Sequence, residues 1–149
     1  IYLSFLVYIV IIISTKNLDF KMQIFYSILI SISSDVGGLI LGKIIKGKKL
    51  TKISPNKTIS GSVGSFLFSI TLIPFFFNYF DSYQISTLFI ITILISFISQ
   101  VGDLSISFLK RKAKVKDTSD ILPGHGGFLD RIDGIIFAIP FGLLLFYIF

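Results

Sequence analysis

The chain has 149 residues, 53% hydrophobic and 15% charged, with 14 Lys and Arg against 8 acids for a net charge of +6. Charged residues make up about a quarter of an ordinary soluble domain. Their scarcity here, with mean hydropathy at +0.88, excludes both a soluble globule and a disordered chain. Without cysteine there is no disulfide, thiolate metal site or cysteine nucleophile, and one histidine excludes a multi-histidine site. A basic, apolar composition points to a membrane protein working beside anionic groups, either lipid headgroups or a phosphorylated ligand.

A membrane helix needs about 20 mostly apolar residues, and five segments approach this. Ile1–Ile13 comes first. It has no charged n-region and no A-x-A site, so it does not read as a signal peptide. It is expected to be a span that has lost its start, making the chain the C-terminal part of a longer fold. Gln23–Ile45, Thr58–Phe80, Ser86–Leu109 and Ile132–Phe149 follow as four further expected spans. The expected fold is an all-α polytopic bundle of about five membrane helices, forming one domain over residues 1–149.

Charge is distributed unevenly among the connections. Lys43, Lys46, Lys48, Lys49, Lys52 and Lys57 flank the second loop, and Lys110, Arg111, Lys112, Lys114, Lys116 and Arg131 flank the fourth. Those are 12 of the 14 bases. Alternating helices put the two loops on one side, which the positive-inside rule makes cytoplasmic.

Inside the spans, Asp35 and Asp103 stand out. A carboxylate at the bilayer centre costs roughly 2.5–3.5 kcal/mol, so each needs a wet cavity, a cation or a partner. Glycine lies beside both, as Gly37, Gly38 and Gly102, and allows another backbone or a ligand to come close. A metal or proton site is the expectation, more strongly for Asp103 than for Asp35; the bland alternative is neutralisation of lysines between helices. Asp130 and Asp133 are three apart and share a helix face. As helix-starting acids they would also suit a helix N-terminus. Pro123-Gly124-His125-Gly126-Gly127 reads as a tight turn, able to present N–H groups to a phosphate.

Other patterns carry less. Gly42 to Lys49 nearly spells a phosphate-binding P-loop, but Lys49 stands where a magnesium-binding hydroxyl is needed and a helix precedes it. Asn56-Lys57-Thr58 is a glycosylation sequon in a loop expected to be cytoplasmic. Gly38-x-x-x-Gly42 reads as helix packing.

The segment Ser107 to Asp133, SFLKRKAKVKDTSDILPGHGGFLDRID, resembles the signature of the phosphatidate cytidylyltransferase (CDP-diglyceride synthase) family. That signature has Ser, Lys-Arg, Lys-Asp, His-Gly-Gly and Asp-Arg-x-Asp. Here they are Ser107, Lys110-Arg111, Lys116-Asp117, His125-Gly126-Gly127 and Asp130-Arg131-Ile132-Asp133, with all spacings matching over 27 residues. Gln100-Val101-Gly102-Asp103 is similar to the family too. So is Lys52 to Gly61, with Ile59-Ser60 standing where the family has Trp-Glu.

The resemblance implies transfer of a cytidylyl group from CTP to phosphatidate, giving CDP-diacylglycerol and pyrophosphate. It implies magnesium, alone or with a second cation, on Asp103 and Asp130, with Asp133 as the next ligand. Lys110, Arg111, Lys116 and Arg131 would clamp phosphates, with Asp117 and His125 beside them, and His125 donating to a phosphate or carrying a proton. Ser54, Lys57, Thr58, Gly126 and Gly127 would bind substrate. The expected partners are CTP, phosphatidate and membrane lipid, with no nucleic acid, in a monomer or homodimer. The expected location is a bacterial inner membrane with the site on the cytoplasmic face. The alternatives are a transferase or kinase acting on another lipid, an ion or solute transporter, and an inactive membrane scaffold. A CDP-alcohol phosphotransferase is excluded, because its spaced aspartate series is absent.

Overall fold

The computed structural model describes residues 18–51, 54, 57–80, 83–115 and 129–149. The first expected span, Ile1–Ile13, lies outside them. Helix α1 is Leu18–Ile45, α2 is Ile59–Ile70, α3 is Ile73–Phe76, α4 is Ile85–Lys112 and α5 is Leu129–Ile148. A single 3-10 turn, Phe77–Tyr79, follows α3. Among the described residues, three stretches are long and apolar enough to cross a membrane, Asp19–Ile45, Ile59–Tyr79 and Ile85–Lys112, and Ile132–Ile148 is a shorter apolar helix. At 28 residues each, α1 and α4 are about 42 Å long, more than the roughly 30 Å of a hydrocarbon core.

The expected third span is not one helix. Pro74 sits in the first turn of α3. Its ring has no N–H for the preceding turn and crowds the carbonyl four residues back. The chain therefore breaks at Thr71 and Leu72, where Leu72 N donates to Ser69 O at 3.2 Å, before a short helix resumes.

Helix α1 is packed on by α2, α4 and α5. Against α2 the contact is backbone to backbone. A Cβ on Gly37 would stand 2.5 Å from the Gly64 carbonyl oxygen, and one on Gly61 2.8 Å from the Gly38 carbonyl. The Gly38-x-x-x-Gly42 stripe is thus one half of a small-residue seam, which lets bare helices approach where no side chain fits. Against α4 the contact is made by hydroxyls. Tyr26 bonds Thr92 at 2.7 Å, Ser31 bonds Ser99 at 2.7 Å, and Ser96 donates to Ser34 at 3.1 Å. All six are buried. Gly134 lets α5 close over the Ser31–Ser99 pair. Each such bond in a membrane bundle contributes about 0.6 kcal/mol, so the pairs specify register more than they add stability.

The outer faces are apolar, with Phe25, Leu39, Leu67, Phe97, Phe108 and Leu144 among the exposed side chains. An aromatic cluster closes one end. Phe80 stacks on Phe146 with centroids 5.1 Å apart, and the Tyr83 hydroxyl donates to Phe146 O at 2.8 Å. Burial, and then the charge of Asp19, push the Tyr83 phenol above its ordinary pKa. The start of α1, the loop before α4 and the end of α5 therefore lie together. The opposite end holds the α1–α2 loop and the end of α4, which is the arrangement that alternating helices require.

Candidate functional site

At that second end the α1–α2 loop is folded back on itself. α1 stops after Ile45, and Lys46 takes a left-handed φ of 48°. Leu50 N donates to Lys57 O at 2.8 Å and Ile59 N to Lys48 O at 3.0 Å, forming a short antiparallel strap around the Lys49–Thr58 bridge. Gly47 N donates to Ser60 Oγ at 3.3 Å. The near-P-loop sequence is therefore a helix end and one side of this strap. Thr58 caps α2, its hydroxyl accepting from Gly61 N at 3.1 Å. Capping by threonine satisfies an otherwise orphaned helix N–H, and Lys57 immediately precedes the cap.

Lys57 Nζ forms an ion pair with Asp103 Oδ2, and Ser107 Oγ donates to Asp103 Oδ1 at 3.4 Å. The two partners are 27% and 23% exposed, respectively, so the pair is partly desolvated and stronger than a surface salt bridge. It opens into a cavity of about 290 Å³. Asp35 and Gly38 from α1 line it, with Lys57, Thr58, Ser62 and Ser65 from the strap and α2, Gln100 and Asp103 from α4, and Asp133 from α5. Leu39, Leu50 and Leu104 supply an apolar border. Asp133 is buried and its Oδ1 accepts from Gly134 N at 2.9 Å. The charges of Asp103, Asp35 and Lys110 all bear on it.

Among the described lining residues there are thus three carboxylates and one ammonium. Such an excess of hard, anionic oxygen suits a hard cation. No three of these groups among the described residues converge on one ion position.

Of the residues singled out from the sequence, Asp35, Lys57, Thr58, Asp103 and Asp133 meet in this cavity. Ser54 does not line it; its carbonyl accepts from Lys57 N at 3.1 Å, so it shapes the turn. Lys110 is half-buried and Arg111 exposed in the last turn of α4, and neither lines the cavity. Lys116, Asp117, His125, Gly126 and Gly127 lie outside the described residues. Asp130 and Arg131 fall in the first turn of α5, with their side chains outside the description. The sequence ranked Asp35 behind Asp103, whereas the structure gives both the same cavity. Gln100 and Ser62 carried no expected role. The available signal was that Gln100 precedes Asp103 by three residues and so shares its helix face.

Fold and cavity define a helical membrane protein with a carboxylate-rich site at one end of its bundle. The cytidylyltransferase family model matches residues 1–149, and the chain belongs to that family. It is 39% identical to the phosphatidate cytidylyltransferase of Bacillus subtilis (strain 168) over 142 residues, covering 92% of this chain and 52% of that protein. The enzyme of the same name from Rickettsia typhi is 44% identical over 125 residues, 76% of this chain and 54% of the relative. That of Staphylococcus haemolyticus is 40% identical over 120 residues, 78% and 46%. The chain spans about half the length of the curated relatives it matches.

Proposed function

We propose that the protein containing this chain transfers a cytidylyl group from CTP to phosphatidate. A phosphate oxygen of the lipid attacks the α-phosphorus of CTP, the bond from that phosphorus to the bridging oxygen breaks, and pyrophosphate leaves with the electron pair. The carrying observation is the cavity. It gathers Asp35, Asp103 and Asp133 from three helices around Lys57, at the end of the bundle where the basic residues cluster. The family to which the chain belongs supports the same chemistry.

Both reactants are anionic, so their repulsion must be screened. Lys57 supplies one positive charge inside the cavity, held ready by Asp103. Lys110, Arg111, Lys116 and Arg131 would add charge at its mouth, the arginines through their planar forks. His125 with Gly126 and Gly127 would donate to the triphosphate. No general base is needed, because a lipid phosphate is ionised at neutral pH. The chain's contribution is then positioning and electrostatics.

The donor set fits magnesium. Asp103 and Asp133 would hold it through one or two carboxylates, with Asp130, three residues before Asp133 in the sequence, as a further ligand, and substrate phosphates would complete its shell. Asp35 lies where it would bind a second cation or steady the first. Bound magnesium would neutralise charge on the reacting phosphates and on the leaving pyrophosphate. The lipid tails stay in the bilayer and the headgroup meets CTP at the cytoplasmic face of a bacterial inner membrane.

The test is formation of CDP-diacylglycerol and pyrophosphate by the full-length protein in mixed micelles, with CTP, phosphatidate and magnesium, and EDTA as control. Metal-dependent, CTP-specific product supports the reading. No product from folded protein removes it, in favour of another lipid acceptor or an inactive relative.

A further inference from the structure

Among the described residues, two buried side-chain polar atoms have no hydrogen-bond partner, Gln23 Oε1 and Gln100 Nε2. Gln100 is the one that lines the cavity. Its other end is fixed, because Ser62 Oγ donates to Gln100 Oε1 at 2.6 Å. Ser62 is fixed in turn one residue beyond the first turn of α2, where its N–H donates to Thr58 O at 3.0 Å. With the oxygen held by α2, the amide nitrogen must point elsewhere.

The nearest acid along the helix makes no bond to it. Asp103, one turn on, already has Oδ2 engaged by Lys57 and Oδ1 by Ser107. A buried N–H without an acceptor is destabilising, and native proteins rarely retain one without a use. In a cavity whose charged groups are three carboxylates and an already paired lysine, and whose Thr58 and Ser65 hydroxyls are engaged with the helices, a neutral donor is suited to oxygen on an anionic ligand. It can bind phosphate oxygen without competing for the cation.

We propose that Gln100 binds ligand, its Nε2 donating to a phosphate oxygen of the substrate in the cavity, and that Ser62 is the positioning residue that turns the amide inward. This rests on the phosphoryl chemistry proposed for the cavity. A nucleotide phosphate and a lipid phosphate present the same acceptor, and the kinetics separate them.

The experiment uses full-length protein in mixed micelles with magnesium. It compares Gln100→Met, Gln100→Glu, Ser62→Ala and Ser62→Thr with the wild type. kcat and KM are measured separately for CTP and phosphatidate, together with calorimetric binding of inorganic pyrophosphate, which does not depend on turnover. Gln100→Met should lower kcat/KM by roughly tenfold or more, the loss expected when a charge-assisted bond is removed. Gln100→Met also removes the Oε1 acceptor of Ser62, so its melting temperature should fall no further than that of Ser62→Ala, which breaks the same bond, while its loss of activity should be larger. Ser62→Ala should lose part of the same activity and Ser62→Thr should recover it.

A KM effect confined to CTP assigns the contact to the nucleotide, and one confined to phosphatidate assigns it to the lipid. Should the wild type bind pyrophosphate but form no CDP-diacylglycerol, the functional reading fails. The Gln100 contact then stands or falls on whether Gln100→Met weakens that binding. Unchanged kinetics and unchanged binding in Gln100→Met overturn the proposal. So does a Gln100→Glu protein as active as the wild type, because the amide oxygen would then be the end facing the ligand. Loss of activity only in step with loss of folding overturns it as well.

Discussion

At the scale of single residues, the Lys57–Asp103 pair does two things, and substitution separates them. Removing one partner of a buried pair costs about 3–5 kcal/mol; here the remaining exposure of both side chains lowers that to about 1–2 kcal/mol. Lys57→Met should therefore lower the melting temperature in detergent and lower turnover. Adding Asp103→Asn should restore most of the melting temperature and none of the turnover. A double variant that regains activity would reduce the pair to scaffolding. Asp103→Asn and Asp133→Asn alone should each abolish CDP-diacylglycerol formation while leaving membrane insertion intact. Asp35→Asn should cost about 10–100-fold, the range for a group that supports a metal site from beside it. Full activity in Asp35→Asn would return that residue to charge balance between helices. Asp103 was legible in the sequence because a carboxylate in an apolar run demands an explanation. That Asp35 and Asp133 share its cavity was not, since convergence of three helices depends on crossing geometry that no local spacing contains. Thr58 shows a different limit. Its place in a substrate-like motif was visible, whereas its role as the cap of α2 depends on where the helix begins.

At the scale of elements, the sequence disclosed the helices well and their joins poorly. Long apolar runs gave α1 and α4 to within a few residues, but Pro74 was absorbed into an expected continuous span that the structure divides. Two stripes with matching spacing, Ser27, Ser31 and Ser34 on α1 and Thr92, Ser96 and Ser99 on α4, were there to be read as a polar seam. Apolar composition drew attention away from them. The glycine seam between α1 and α2 makes a sharper demand. Gly37→Ala would place a methyl 2.5 Å from the Gly64 carbonyl oxygen and 2.6 Å from Phe68 Cβ, so the helices must separate. A loss of about 1–3 kcal/mol is expected from such overpacking, seen as earlier melting in detergent. Unchanged melting would mean the two helices lie further apart than described. The end of α4 offers the opposite change. Lys114 takes φ of 58°, its N–H donating to Arg111 O and that of Val115 to Lys110 O, each at 3.0 Å. This is a helix-ending motif that favours glycine at the left-handed position. Lys114→Gly should raise stability slightly, by at most about 1 kcal/mol, and Lys114→Ala should leave turnover nearly unchanged. If Lys114→Ala lost as much activity as Lys116→Ala, the division between solvated lysines and site lysines would have to be redrawn.

For the whole molecule, the strongest constraint is the agreement between charge and connectivity. The Lys57–Asp103 pair ties the loop after α1 to the end of α4, while Tyr83 ties the loop before α4 to the end of α5. Loops rich in lysine therefore share one end, and an almost uncharged loop shares the other, as the positive-inside rule requires of helices that cross a membrane. A protein whose helices merely packed against each other in water would need no such segregation. The absence of cysteine from the chain makes this directly testable. Lys48→Cys and Lys112→Cys replace exposed side chains at one end, and Asn78→Cys replaces one at the other. In a full-length protein made otherwise free of cysteine, a membrane-impermeant maleimide should label Asn78→Cys in intact spheroplasts. Lys48→Cys and Lys112→Cys should react only in inverted vesicles, and CTP with magnesium should slow their labelling if the cavity opens at that end. Labelling of Lys48→Cys and Lys112→Cys from opposite sides would break the alternating topology and, with it, the shared cavity. Labelling of both from outside would keep the fold but place the site away from cytoplasmic CTP, which the proposed reaction cannot tolerate.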